Sequence, residues 1–406
     1  MQETQRNVSF IFILVLGILA MLPPMAIDMY LPAFLDIAQD LEVNAEKVQK
    51  TLALFTMGFA IGQLVWGPVA DSFGRKPAIL IGTFISATSA TLLTQVAEIN
   101  HFLFVRFVQG FFAAAPAVIL GALLRDLFSK NHFSKMMSMI MLISMIAPLL
   151  APLIGGYLTS IFHWHSIFYV LAFVGFLSCL LVFWKIPETL AVEKRQPFTL
   201  RRVAQNFVSL VRVKAVIGYV LCGAFSFAGL FAFLTSGSIV YIDIYGIAKE
   251  NFGYFFLLNM TGMIIFTSIN GKIVMKVGAE TMLRFGLTVQ FLAGVWLLLV
   301  AILHLGFWPM ALGIAAYVSM MSIIGSNAMA CILDRFPQYA GTANSLAGTF
   351  RFGTGAICGF LLSLVPVTSQ IPMLFSMFLC IFIGAISYHF LSSPKAQKRL
   401  TTKNRY

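Results

Sequence analysis

The chain has 406 residues, 59% of them apolar and only 10% charged, with a mean hydropathy of +0.90. A water-soluble domain cannot expose that much apolar surface, so the composition implies a polytopic, all-α membrane protein. The formal charge of +12 invites a nucleic-acid reading, which the placement of the charges decides.

A membrane-crossing helix needs about 20 apolar residues. Twelve stretches qualify in chain order: 8–31, 48–69, 77–96, 102–123, 136–159, 165–185, 215–241, 252–272, 281–303, 307–330, 342–365 and 370–391. The first has a weakly charged n-region and no small-residue cleavage site behind it, so Val8–Tyr30 reads as a retained span rather than a signal peptide. The longest break, 186–214, divides the chain into a six-span bundle (1–185), a linker, and a second six-span bundle with a basic tail (215–406). With the N-terminus inside, 22 of the 27 Lys/Arg fall in or beside cytoplasmic segments. Lys47, Lys50 and Lys249 fall outside, and Arg106 and Arg351 lie within spans. The positive-inside rule therefore sets both termini and the linker in the cytoplasm. The surplus charge becomes an insertion signal, nucleic acid is excluded as a partner, and the tail PKAQKRLTTKNRY becomes a solvated face beside anionic lipid. Cys179, Cys222, Cys331, Cys358 and Cys380 are scattered without a CxxC pair and read as reduced filler residues.

A repeat is visible at an offset of 204 residues. Gly67 and Gly74 in GPVADSFGRKP return as Gly271 and Gly278 in GKIVMKVGAE, and Gly155 returns as Gly359. Two matched halves imply a parallel-repeat transporter with its substrate site between them, near the midplane.

In GPVADSFGRKP, Gly67 and Gly74 permit a tight turn, Asp71 is placed to accept hydrogen bonds or face a helix N-terminus, and Arg75 and Lys76 anchor the loop inside. In FVRFVQGFFAAAPA, Arg106 and Gln109 share a helical face and Gly110 follows; Arg106 either snorkels outward or faces the interior. In SMIAPLLAPLIGGYL, Pro148 and Pro152 lie four apart before Gly155 and Gly156, which suits bending and close packing. Span 1 ends in AIDMYLPAFLDIAQDL. Asp28 follows twenty residues whose one polar member is Ser9, and seven apolar residues follow it. Those seven extend about 10 Å as a helix. Asp28 therefore lies inside the membrane, where it either bonds locally or serves function.

These motifs resemble the Major Facilitator Superfamily. Gly67, Asp71, Gly74, Arg75 and Lys76 match its loop G-x-x-x-D-R-x-G-R-R/K, with Ser72 in place of an Arg. Arg106, Gln109 and Gly110 match its R-x-x-Q-G pattern. Pro148, Gly155 and Gly156 keep part of the antiporter motif G-x-x-x-G-P-x-x-G-G, though Ala147 stands where that motif has Gly. Asp28, Tyr30 and Pro32 match D-x-Y-x-P of the twelve-helix drug/proton antiporter group. LRDLFSK, PETL and AGTANSLAGTFRFG extend the likeness to the bicyclomycin/sulfonamide-resistance branch of that group.

The resemblance implies a monomeric, multi-pass inner-membrane exporter of small-molecule drugs, coupled to protons and without cofactors. It implies that the loop latches and the prolines and glycines hinge the two halves, and that Arg106 is tied to proton coupling. On this reading Asp28 carries the proton and a nearby Arg106 tunes it. Phe227 and Phe231 in FSFAGLFAFLTSG, with Tyr30, Gln109, Asn259 and Asn327, become candidates for the cavity wall. Arg351 pairs with an acid, snorkels or binds an anionic group. Asp243 reads as interfacial. His163 and His165 flank Trp164 with no acidic partner nearby in sequence, so no metal site is expected. The rival functions are a proton-coupled metabolite exporter or symporter, and a membrane-embedded enzyme or sensor. No P-loop, HExxH motif or intramembrane catalytic pair supports the latter.

Overall fold

A computed structural model describes residues 10–128, 130–195, 213–335 and 340–392, with 197, 208 and 211. Part of the linker and the basic tail from Pro394 onward lie outside the described residues. Among the described residues, twelve helices are long and apolar enough to cross a membrane. They are α1 (Ile11–Asp40), α2 (Ala45–Phe73), α3 (Arg75–Leu93), α4 (Ile99–Leu127), α5 (Lys135–Ile161) and α6 (His165–Lys185) in the first bundle. The second holds α7 (Lys214–Ile244), α8 (Lys249–Val277), α9 (Ala279–Leu303), α10 (Phe307–Asp334), α11 (Asn344–Leu362) and α12 (Ile371–Ser392). The end carrying the α1–α2 turn is termed outer, following the charge pattern.

The largest departure from the sequence reading is in α1. The α-helix runs from Phe10 to Asp28 and stops; a turn at Met29–Tyr30 and a 3₁₀ turn at Leu31–Ala33 follow, and an α-helix resumes over Phe34–Asp40. Asp36 and Asp40, which lie past the expected span end at residue 31 and so in the expected outer loop, instead stand in the first turn and at the end of this helix. Prolines explain the break. Pro23, Pro24 and Pro32 have no N–H to donate four residues back, which frees carbonyls in the preceding turns. Irregular backbone at membrane depth survives only where protein covers it. Here Ala26 through Ala33 are all buried. α5 breaks in the same way at Met145, between α-helices Lys130–Ser144 and Ile146–Ile161. The missing N–H of Pro148 leaves the Ser144 carbonyl without its helical donor.

The repeat has a backbone counterpart. Gly74 (φ 109°, ψ 155°) joins α2 to α3, and Gly278 (φ 85°, ψ 152°) joins α8 to α9. Side chains rarely adopt this conformation, so glycine at both places is required by one turn used twice. The second repeated pair also holds equivalent places. Gly155 of α5 lies against the Met29 carbonyl of α1, and Gly359 of α11 lies against Thr235 of α7.

Across the halves, α2 meets α11 and α5 meets α8. Phe59 and Phe352 meet edge to face with centroids 4.6 Å apart. Gly156 of α5 approaches the Lys249 carbonyl of α8, and Gly253 of α8 approaches Leu153 of α5. Among the described residues, polar bonds join the halves at the outer end. Lys249 pairs with Asp36, Gln49 donates to Ser236 at 3.4 Å, the Val367 N–H reaches Glu46 at 3.4 Å, and the Tyr157 and Tyr254 hydroxyls meet at 3.2 Å. At the inner end, among the described residues, Arg75 pairs with Asp71 and Asp126 and Arg284 with Glu280, each within its own half.

The close approach at Gly155 yields a test. Gly155→Val places a branched side chain on the Met29 carbonyl and is expected to destabilise the folded protein by about 1–3 kcal/mol, read as a lower melting temperature in detergent. Gly271→Ala, where a Cβ meets nothing within 4 Å, is the control and leaves the melting temperature unchanged or slightly raised.

Candidate transport site

Arg106, on α4, is wholly buried. Its guanidinium donates to Gln109 Oε1 at 2.6 Å and to the Ala26 carbonyl at 3.1 Å. It lies between the rings of Tyr30 and Phe55, with Cζ 4.2 and 4.4 Å from their centroids. Nε has no partner, and no carboxylate pairs with Arg106 among the described residues. Aromatic faces and two oxygen acceptors therefore carry a charge that an acid would ordinarily balance. The local sequence builds this holder. The proline-broken end of α1 presents Ala26 O, and helical spacing puts Gln109 one turn along. Gly110 lets α4 press on the Phe55 backbone, where a Cβ would collide with the Phe55 carbonyl. That contact seats the Phe55 ring on the guanidinium.

Two expectations change. Tyr30 and Gln109, taken as cavity wall, pack around Arg106 with 0% and 1% exposure; Tyr30 also meets the Thr51 hydroxyl at 3.3 Å. Asp28 is buried, but it forms no ion pair with Arg106, and its carboxyl makes no bond among the described residues. The two are linked through backbone, since Arg106 holds the carbonyl two residues before Asp28.

The inner loop also differs in its wiring. Asp71 pairs with Arg75 at 2.6 Å instead of facing a helix N-terminus. Glu188, from PETL after α6, takes that place. It accepts the N–H groups of Arg75 (3.0 Å) and Lys76 (3.2 Å) at the start of α3 and those of Thr189 and Leu190 (both 2.9 Å). A carboxylate at a helix N-terminus satisfies orphan donors and complements the dipole. Arg75 also reaches Asp126 at 3.2 Å, and Lys76 donates to the Phe183 carbonyl at 2.7 Å. Gly67 lies one turn before Asp71 in the last part of α2. Ser72, where the family has Arg, donates back to the Pro68 carbonyl at 2.9 Å.

Of the other expected cavity residues, Phe227 and Phe231 on α7 meet each other (5.4 Å) and Phe352 of α11 (5.2 and 6.3 Å). Asn327 bonds Asn270 at 2.8 Å and so ties α10 to α8; Asn259 is buried in α8. Pro152, Gly155 and Gly156 are buried in α5. His163 and His165 do gain an acidic neighbour. Asp40 comes from the end of α1, and the three donor groups lie within 4.8 Å of one another on the outer surface. Asp40 also accepts the Trp164 indole N–H at 3.1 Å.

Two bundles, a turn used twice and polar groups between apolar helices are the architecture of a polytopic membrane protein, and the family match and relatives make it a transporter and not an enzyme. The chain belongs to the Major Facilitator Superfamily, whose pattern matches residues 16–360. It is 55% identical to the bicyclomycin resistance protein homolog of Haemophilus influenzae over 395 residues, 97% of this chain and 99% of that protein. It is 26% identical over 383 residues to multidrug resistance protein D of Escherichia coli, covering 91% and 92% of the two chains. A solved D-xylose-proton symporter superimposes with a TM-score of 0.76 at 15% identity, over 94% of this chain and 97% of that one, a likeness of fold. The protein is a multi-pass membrane protein, which in a bacterium places it in the inner membrane.

Arg106→Lys keeps the charge but loses the planar fork that reaches both acceptors while stacking on two rings. The variant is expected to lose about 1.5–3 kcal/mol of stability, seen as earlier thermal unfolding in detergent.

Proposed function

We propose that the protein exports amphiphilic drugs, including bicyclomycin- and sulfonamide-type molecules, in exchange for protons by alternating access. The observation that carries this reading is Asp28, a carboxyl buried at a helix break with no bonded partner among the described residues. A buried acid without a fixed partner changes its protonation when water access changes, and that is what a proton carrier requires. The names of the relatives support drug export, and the positive-inside pattern supports cytoplasmic termini and linker. Residues 1–185 and 215–406 would rock as two bundles about the 186–214 linker, the unit being a monomer.

The outer bonds fit the inward-facing state of such a cycle. Opening outward requires parting Lys249 from Asp36 and Gln49 from Ser236. Pro148, Pro152, Gly155 and Gly156 give α5 the irregularity to follow that motion. The Gly67–Lys76 segment, the α2–α3 corner turned at Gly74 and held by Asp126 and Glu188 of its own half, would latch the second half when the inner end closes.

Inverted membrane vesicles test the proposal. With the interior acidified, the wild type is expected to accumulate drug, and a protonophore to abolish the accumulation. Asp28→Asn is expected to insert normally and lose proton-driven accumulation. Normal accumulation by that variant sinks the assignment of Asp28, and uptake driven by the reversed gradient favours a symporter.

A further inference from the structure

Arg351 contrasts with Arg106. Arg106 is enclosed and bonded; Arg351 is exposed. Yet Arg351 is no edge residue. It lies seven residues beyond Asn344, where α11 begins, about 10 Å along the axis. Its surroundings point inward. The guanidinium lies over the Phe227 ring of α7, with Cζ 4.9 Å from the centroid. Nη2 comes within 3.3 Å of where a Cβ on Gly325 of α10 would sit. The exposed surface therefore opens among α7, α10 and α11. A charged side chain at this depth is tolerable where it faces a water-filled cavity.

No acid pairs with the Arg351 guanidinium among the described residues. The acids of the second half stand elsewhere. Asp243 and Glu250 are at the outer end, and Asp334 closes α10 at the inner end. Glu280 is taken by the hydroxyls of Tyr219 (2.6 Å) and Tyr388. Beside Arg351 stands an aromatic wall. Half-buried Phe227 and Phe352 meet at 5.2 Å, backed by Phe231 and by Phe59 of the other half. A five-donor cation above a ring, exposed and paired with no acid among the described residues, suits a planar anionic head.

We infer that Arg351, with the ring faces of Phe227 and Phe352, forms an anion subsite of the transport cavity for amphiphiles that join a flat apolar body to a carboxylate or deprotonated sulfonamide. The inference rests on the export reading above and names a substrate class for it. Phe227 stacks on the apolar body, and Arg351 donates two parallel N–H bonds to the head.

The test measures equilibrium binding to the full chain in lipid nanodiscs, by fluorescence anisotropy at one pH. Carboxyfluorescein is the aromatic anion and ethidium the aromatic cation. Arg351→Gln is expected to weaken carboxyfluorescein about tenfold or more and to leave ethidium unchanged or tighter. Arg351→Lys, which keeps charge but not the fork, falls between wild type and Gln for the anion and matches wild type for the cation; it also serves should the Gln variant fail to fold. Equal weakening of both probes, or no change in either, overturns the subsite. Wild-type binding of ethidium alone overturns the anion assignment and leaves drug export standing. Binding of neither probe counts against both.

Discussion

Arg106 carries a full positive charge into the interior of the first bundle, and the chain around it is shaped by the cost of keeping it there. Removing a charge from water costs several kcal/mol even after relaxation, and no carboxylate among the described residues offsets it. The compensation is distributed over Tyr30, Phe55, Gln109 and the Ala26 carbonyl. Each imposes a condition on its own helix. Tyr30 and Ala26 require α1 to break between them, so prolines flank the break. Phe55 requires α2 to lie against α4, so position 110 must lack a side chain. One buried cation thereby fixes the placement of three helices, and the irregular segment so created carries Asp28.

Asp28 and Arg351 stand in different halves. On the readings proposed here, proton and substrate do not compete for one group, and coupling passes through conformation. The contacts offer a route. Adjacent glycines of α5 face opposite ways: Gly155 touches the Met29 carbonyl beside Asp28, and Gly156 touches the Lys249 carbonyl at the start of α8. Lys249 also holds Asp36, beyond the break in α1. A change in the backbone around Asp28 therefore bears on the outer seam by two paths.

The twelve spans were legible because hydropathy reports burial in lipid directly. The repeat was legible at Gly74 and Gly278 because a positive φ leaves little choice of residue. The outer part of α1 was not, since Pro32, Asp36 and Asp40 look like a loop until the helix is seen to restart at Phe34. Tyr30 and Gln109 were recognisable as polar groups in a span, but sequence does not say who fills the space beside them. Glu188 sits 113 residues from the N–H of Arg75 that it caps; the PETL motif marked it without indicating its partner. Phe55, Phe59 and Phe352 were indistinguishable among forty phenylalanines, because a lipid-facing and a wall-forming ring have the same hydropathy.

The central claim is that protonation of Asp28 moves the two halves relative to each other. Spin labels at Ser160 of α5 and Asn251 of α8, on either side of the outer seam, measure this directly by double electron–electron resonance. Distance distributions would be taken at acidic and alkaline pH in the wild-type and Asp28→Asn backgrounds. The account predicts a pH-dependent change in population between short and long distances in the wild type and none in Asp28→Asn. The same pH response in both backgrounds would contradict it.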